Sequence, residues 1–141
     1  MVGYSGTPLW RKLGIDAGDV VALLGEPSGW MIEGLPDKVA VRRRARGPLD
    51  VIVAFFDRRV DVERRLPLLR RALRPDGSLW IAWPRKAAGH SSDISEQGLR
   101  EIVLPTGLVD TKVAALDDDW SALRFVWRKE LRSSLPTRRE P

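Results

Sequence analysis

The chain contains no cysteine. That absence excludes disulfides, thiolate zinc sites and cysteine nucleophiles together. Histidine is nearly as scarce: His90 is the single one in 141 residues, so a metal centre of clustered imidazoles is excluded too. No apolar run approaches the roughly 20 residues that a membrane-spanning helix needs. The opening "MVGYSGTPLW" has neither the basic region nor the apolar segment of an export signal. No internal repeat is visible. These gaps lead to the expectation of a cytoplasmic domain with no membrane partner.

What is present describes one globular unit. Hydrophobic residues make up 43% of the chain and six are tryptophan, enough for a single core at this length. The expected organisation is one α/β domain over residues 1–130 and a frayed tail over 131–141. The net charge of +5 is uneven, with twelve cations against four acids in residues 38–74. Arginine outnumbers lysine nineteen to five, a ratio that GC-rich codon usage would give. The run Arg42, Arg43, Arg44 and Arg46 offers a nucleic-acid candidate. No aromatic interleaves with it, as a single-strand stacking platform requires, so a solvated face is the preferred reading.

The periodicity alternates strands with helices. "TPLWRKLG" reads as a short helix capped by Thr7, with Pro8 in the first helical position and Gly14 closing it. "DVVALLG", "DVIVAFF" and "SLWIAWP" are apolar runs of strand length, the pattern of strands buried on both faces. "VAVRRRA" reads as an edge strand with a charged end. Leu66, Leu69 and Leu73 set a helix over Val60 to Arg74, kinked or begun at Pro67. "RPDG" reads as a turn with Gly77 at positive φ. "DISEQGLREIVL" reads as a helix capped by Asp93. "LVDTKVAAL" and "WSALRFVWRKEL" form a hairpin, with Leu123, Phe125 and Trp127 on one face. The expected fold is a Rossmann-like three-layer α/β sandwich, mostly parallel, with a C-terminal antiparallel edge hairpin.

The order "DVIVAFF…LPLLRRALRPDGSLWIAWP", then a helix and a "GLVD" hairpin, resembles the C-terminal half of class I S-adenosylmethionine-dependent methyltransferases. The resemblance covers about residues 50–128. "GYSGTPLWRKLGI", "PDGSLWIAWPRKAAGHSSDIS" and "GLVDTKVAALDDDWSALRFVWRKEL" also resemble a family of small bacterial proteins catalogued as a domain of unknown function. The methyltransferase resemblance implies a glycine-rich turn after the first strand and an acid at the end of the second, gripping the cofactor ribose. Here "LLGEPSGW" keeps Gly25 and Gly29 but interposes Glu26, Pro27 and Ser28. The second strand ends in Arg42, Arg43 and Arg44, the wrong charge for a ribose clamp. S-adenosylmethionine is accordingly disfavoured as a cofactor.

Ligands of open α/β sheets bind beyond the carboxyl ends of strands. The expected cleft therefore lies between Gly25, Ser28, Gly29 and Trp30 on one side and Trp83, Arg85, Lys86, Ser91 and Ser92 on the other. Arg85 and Lys86 supply positive charge, and a helix N-terminus near Asp93 supplies amides, which together suit an anionic small molecule. His90 is the weak candidate for a general base. Trp80 and Trp83 fall on opposite faces of one strand. The leading expectation is a non-catalytic small-ligand or anion-binding or regulatory domain, with a protein partner as another outcome. The alternatives are a methyltransferase-like enzyme and a nucleic-acid-associated basic protein.

Overall fold

The three apolar runs form the middle of a sheet. The computed structural model describes residues 6–86 and 91–135. Its strands are β1 (Val20–Leu24), β2 (Ala40–Arg42), β3 (Leu49–Phe55), β4 (Leu73–Pro84), β5 (Leu108–Ala115) and β6 (Trp120–Trp127). They form one six-stranded sheet in the order β2-β1-β3-β4-β6-β5. The first four strands run parallel to one another, and β6 pairs antiparallel with both β4 and β5. This is the expected Rossmann-like α/β fold with an antiparallel edge hairpin.

Side chains alternate between two cores, because successive strand residues point to opposite faces. Ile52, Ala54, Leu79 and Ile81 face α2 (Arg59–Ala72) and α3 (Glu96–Val103), where Val62, Leu66, Leu69 and Leu99 meet them. Leu123, Phe125 and Trp127 join that face as the alternation requires. Val21, Leu23, Val51, Val53 and Phe55 face the other way. Their cover is thin: the single turn α1 (Leu9–Lys12), with Leu13 and Ile15, and the strandless segment 25–39, which contributes Trp30, Ile32 and Leu35. Trp80 and Trp83 part as expected, Trp80 to this face and Trp83 to the helical one. The fully buried Trp80 donates its indole N–H to the Leu13 carbonyl at 3.1 Å, so its polar atom is satisfied in the core.

Several local expectations are corrected. Pro8 stands at the N-cap of α1 and Leu9 is the first helical residue. The helix α2 continues through Pro67, whose position is exposed, so the lost backbone donor costs little in buried polarity. "RPDG" does not leave the sheet. Leu73 pairs with Leu49 and Ser78 with Val51, and the register shift between them takes up the intervening residues. Gly77 serves there by lacking a side chain: a Cβ would lie 2.8 Å from the Asp50 carbonyl oxygen. α3 is capped by Ser95, whose hydroxyl accepts from the Gly98 amide at 3.0 Å. Beyond β6, Lys129–Ser134 forms a 3-10 segment, and Leu131 and Leu135 pack on the helical core. Among the described residues no helix is long and apolar enough to cross a membrane.

Candidate functional site

In the order β2-β1-β3 the chain leaves β1 in one direction and returns past it to β3. The switch point of the sheet therefore lies between β1 and β3, at Leu24 and Phe55, where open α/β sheets bind ligands. The strand ends approach closely. Gly25 has φ +72°, and a Cβ there would sit 2.8 Å from the Phe55 carbonyl oxygen, so only glycine fits. Gly29 also has positive φ, +78°, but faces open space and is exposed. The Trp30 amide donates to the Pro27 carbonyl at 2.9 Å and closes a turn over residues 27–30, with Gly29 inside it. Ser28 is exposed beside it.

Glu26 is the charged group of this turn. Its carboxylate accepts an ion pair from Arg43 Nε at 2.6 Å and is 15% exposed, against 57% for Arg43. The ion pair thus joins a residue just past the end of β2 to an acid just past the end of β1. Arg42 and Arg44 are exposed nearby in sequence, whereas Arg46 lies at the far end of the sheet, among the residues preceding β3. Within the run, Arg43 pairs with Glu26 while Arg46 lines a cavity before β3.

Trp30 covers the switch point from the thinly roofed face. Its ring meets Phe55 edge-on at 4.8 Å, and Phe55 meets Trp120 in the same way at 5.0 Å. The Trp30 indole N–H donates to Asp117 Oδ2 at 3.1 Å. Asp117 also organises the β5–β6 turn, accepting from the Asp119 and Trp120 amides at 2.8 and 2.9 Å. Arg85 reaches the same turn: its amide donates to the Asp119 carbonyl at 2.8 Å and its guanidinium to the Asp117 carbonyl at 3.5 Å. The two sides of the cleft expected from the sequence thus meet through Asp117. Phe55, Asp117 and Trp120 were not among the residues singled out from the sequence. Their signal was weak, since "DDD" reads as an ordinary turn and Phe55 as one more apolar strand residue.

The remaining candidates are more dispersed. Trp83 is buried on the helical face with Ile94 and Leu99. Lys86 and Ser91 are exposed; Ser92 is half-buried and its hydroxyl accepts from the Ile94 amide at 3.1 Å. Asp93 does not cap α3 but accepts from the Arg59 amide at 2.7 Å, at the start of α2. His90 lies outside the described residues. Among the described residues no cluster of three or more acids or histidines could hold a metal ion.

No family model and no curated protein matches the sequence. Solved structures do match the fold. A S-adenosylmethionine-dependent methyltransferase from Aquifex aeolicus superposes with a TM-score of 0.59 at 14% identity, over 83% of this chain and 86% of that one. The fibrillarin pre-rRNA processing protein of Methanococcus jannaschii gives 0.58 at 14% identity, over 86% and 69%. Magnesium protoporphyrin IX methyltransferase of Synechocystis, with its cofactor bound, gives 0.56 at 12%, over 85% and 74%.

These likenesses overturn the expectation of a non-catalytic binding or regulatory domain and favour the methyltransferase-like alternative. That expectation rested on the broken glycine motif and the basic end of β2. Yet "GEPSG" still folds as a glycine-bounded turn at the switch point, with a carboxylate held in it. At such identities the likeness is one of architecture: the chain has the α/β Rossmann-like fold of S-adenosylmethionine-dependent methyltransferases.

Proposed function

We propose that the chain is a S-adenosylmethionine-dependent methyltransferase on a shortened sheet, with the cofactor over the carboxyl ends of β1 and β3. The observation that carries this reading is the Gly25–Gly29 turn with the Glu26 carboxylate fixed in it by Arg43. The residues fit the group. Gly25 admits no side chain and Gly29 leaves its backbone open, so the turn can approach a ligand closely. Glu26 supplies the acceptor for ribose hydroxyls, with Arg43 preventing its rotation away. Ser28 adds a hydroxyl and Trp30 an apolar wall. Arg85, Lys86, Ser91 and Ser92, which follow β4, supply donors for the methyl acceptor.

The cofactor, when bound, offers a sulfonium methyl group as electrophile. The chain's own work is to hold the acceptor in line and to keep water away, which needs no metal. The Trp30, Phe55 and Trp120 rings provide the dry side of such a site.

Isothermal titration calorimetry with S-adenosylhomocysteine tests the reading. Wild-type protein is expected to bind with 1:1 stoichiometry, and Glu26→Gln to weaken binding about tenfold, the loss of a charge-assisted hydrogen bond. A folded wild-type protein with no heat of binding at ~1 mM ligand would end it.

A further inference from the structure

A concavity lies at the end of the sheet opposite the switch point. It encloses about 570 Å³, within the roughly 300–1,000 Å³ usual for small-molecule sites. Its walls are the residues before β3, the last turns of α2, the start of β4, and Trp127 with Leu135. β3 separates it from the switch point by seven residues, roughly 20 Å at ~3.3 Å per residue. The methyltransferase reading makes no use of it.

The walls are of two kinds. Pro48, Leu68, Leu73 and Leu135 are apolar, while Arg46, Arg70, Arg71 and Arg74 give the same walls four cationic residues. Arg74 is paired with Asp50, Nε to Oδ1 at 3.1 Å. Among the described residues Arg46, Arg70 and Arg71 have no ion pair. Arg70 lies over Trp127, its guanidinium carbon 5.3 Å from the centre of the ring. Arg70 Nε and Trp127 Nε1 are both buried without a hydrogen-bond partner.

The C-terminal end of α2 accounts for part of this charge, since cations there complement the helix dipole. Arg74 directly follows the C-cap Leu73, and Arg46 adjoins Gly47, which abuts the Ala72 carbonyl, so both share that helix end. Yet Arg46, Arg70 and Arg71 still carry no anionic partner there among the described residues. The Arg70 fork, fixed on an indole beside leucine and proline, is suited to a planar anionic head with a greasy body behind it. We propose that this cavity binds an amphipathic organic anion, a carboxylate or phosphate monoester carried on an apolar group. The proposal does not depend on the cofactor site.

Calorimetry on the full chain tests it with 4-phenylbutyrate and 4-phenylbutyl phosphate, with 4-phenylbutanol and inorganic phosphate as controls. At least one charged probe is expected to bind 1:1, at least tenfold more tightly than either control. The preferred head group then separates a carboxylate from a phosphate ligand. Arg70→Gln is expected to lose at least tenfold in affinity. Arg46→Gln, an exposed position outside the core, gives the same direction of loss if Arg70→Gln fails to fold. S-adenosylhomocysteine binding should be unchanged in Arg46→Gln, so the two sites succeed or fail separately. Absence of binding by both charged probes up to ~10 mM overturns the proposal. So does equal binding of the alcohol, or binding that neither variant alters.

Discussion

The Asp93 carboxylate accepts a 2.7 Å hydrogen bond from the backbone N–H of Arg59, thirty-four residues away in the chain. A residue approaching α3 thereby satisfies one of the orphan amides at the start of α2. α2 has no capping side chain of its own, because Arg58 occupies its N-cap. Asp93→Ala should therefore cost about 1 kcal/mol, a cap's usual worth, seen as a fall in melting temperature of roughly 3 °C. Asp93→Asn, which keeps an acceptor oxygen, should recover most of it.

Gly25 and Gly29 should respond differently to alanine. Both need a positive φ, which costs a side-chain residue about 1–2 kcal/mol. At Gly25 the new Cβ also meets the Phe55 carbonyl oxygen at 2.8 Å, whereas at Gly29 it meets nothing within 4 Å. Urea unfolding should rank Gly25→Ala clearly below Gly29→Ala. Equal losses would show that the β1 and β3 ends separate more easily than their geometry implies.

Asp19, at the entrance to β1, titrates above its ordinary value of 3.8, chiefly because burial disfavours its charge. Asp50, Asp16 and Asp76 push in the same direction, while the Asp16 amide, donating to its carboxylate at 2.8 Å, opposes them. A raised acid is a cost to the folded state once it ionises, present above the folded value and gone below the unfolded one. Asp19→Asn should therefore raise the melting temperature at pH 7. The gain should shrink as pH falls and vanish below about 3.8. A gain that persists at pH 3 would point to packing rather than charge.

Trp80→Phe should be costlier than the lost ring volume alone. It strands the Leu13 carbonyl, now the acceptor of the indole N–H, inside the core that α1 roofs. An unsatisfied buried acceptor costs about 1–3 kcal/mol in addition to the cavity. Equilibrium denaturation monitored by circular dichroism gives the difference.

The central strands were legible in the sequence because burial on both faces leaves an uninterrupted apolar run, as at Val51 to Phe55. The capping residues were not. Asp93 and Ser95 are both good caps two positions apart, and Asp93 is drawn away by an amide of α2 that no local pattern reveals. "RPDG" carries turn chemistry, but pairing of Leu73 with Leu49 keeps it in the sheet. At the candidate site, Gly25 and Gly29 announced a turn, while the Glu26–Arg43 pair joined residues whose charges had been counted separately. Asp117 was hidden for the same reason: its partners Trp30 and Arg85 come from distant parts of the chain.

The segment between β1 and β2 both frames the switch point and shields Val21, Leu23 and Phe55 from water. Being without strand or helix, it has few backbone hydrogen bonds to hold it shut, and such segments open at free energies well below that of global unfolding. A cofactor bound at the switch point as proposed would pin this segment, so amide exchange within residues 26–39 is expected to slow on its addition, while the ladder amides of β1 and β3, paired on both sides, change little.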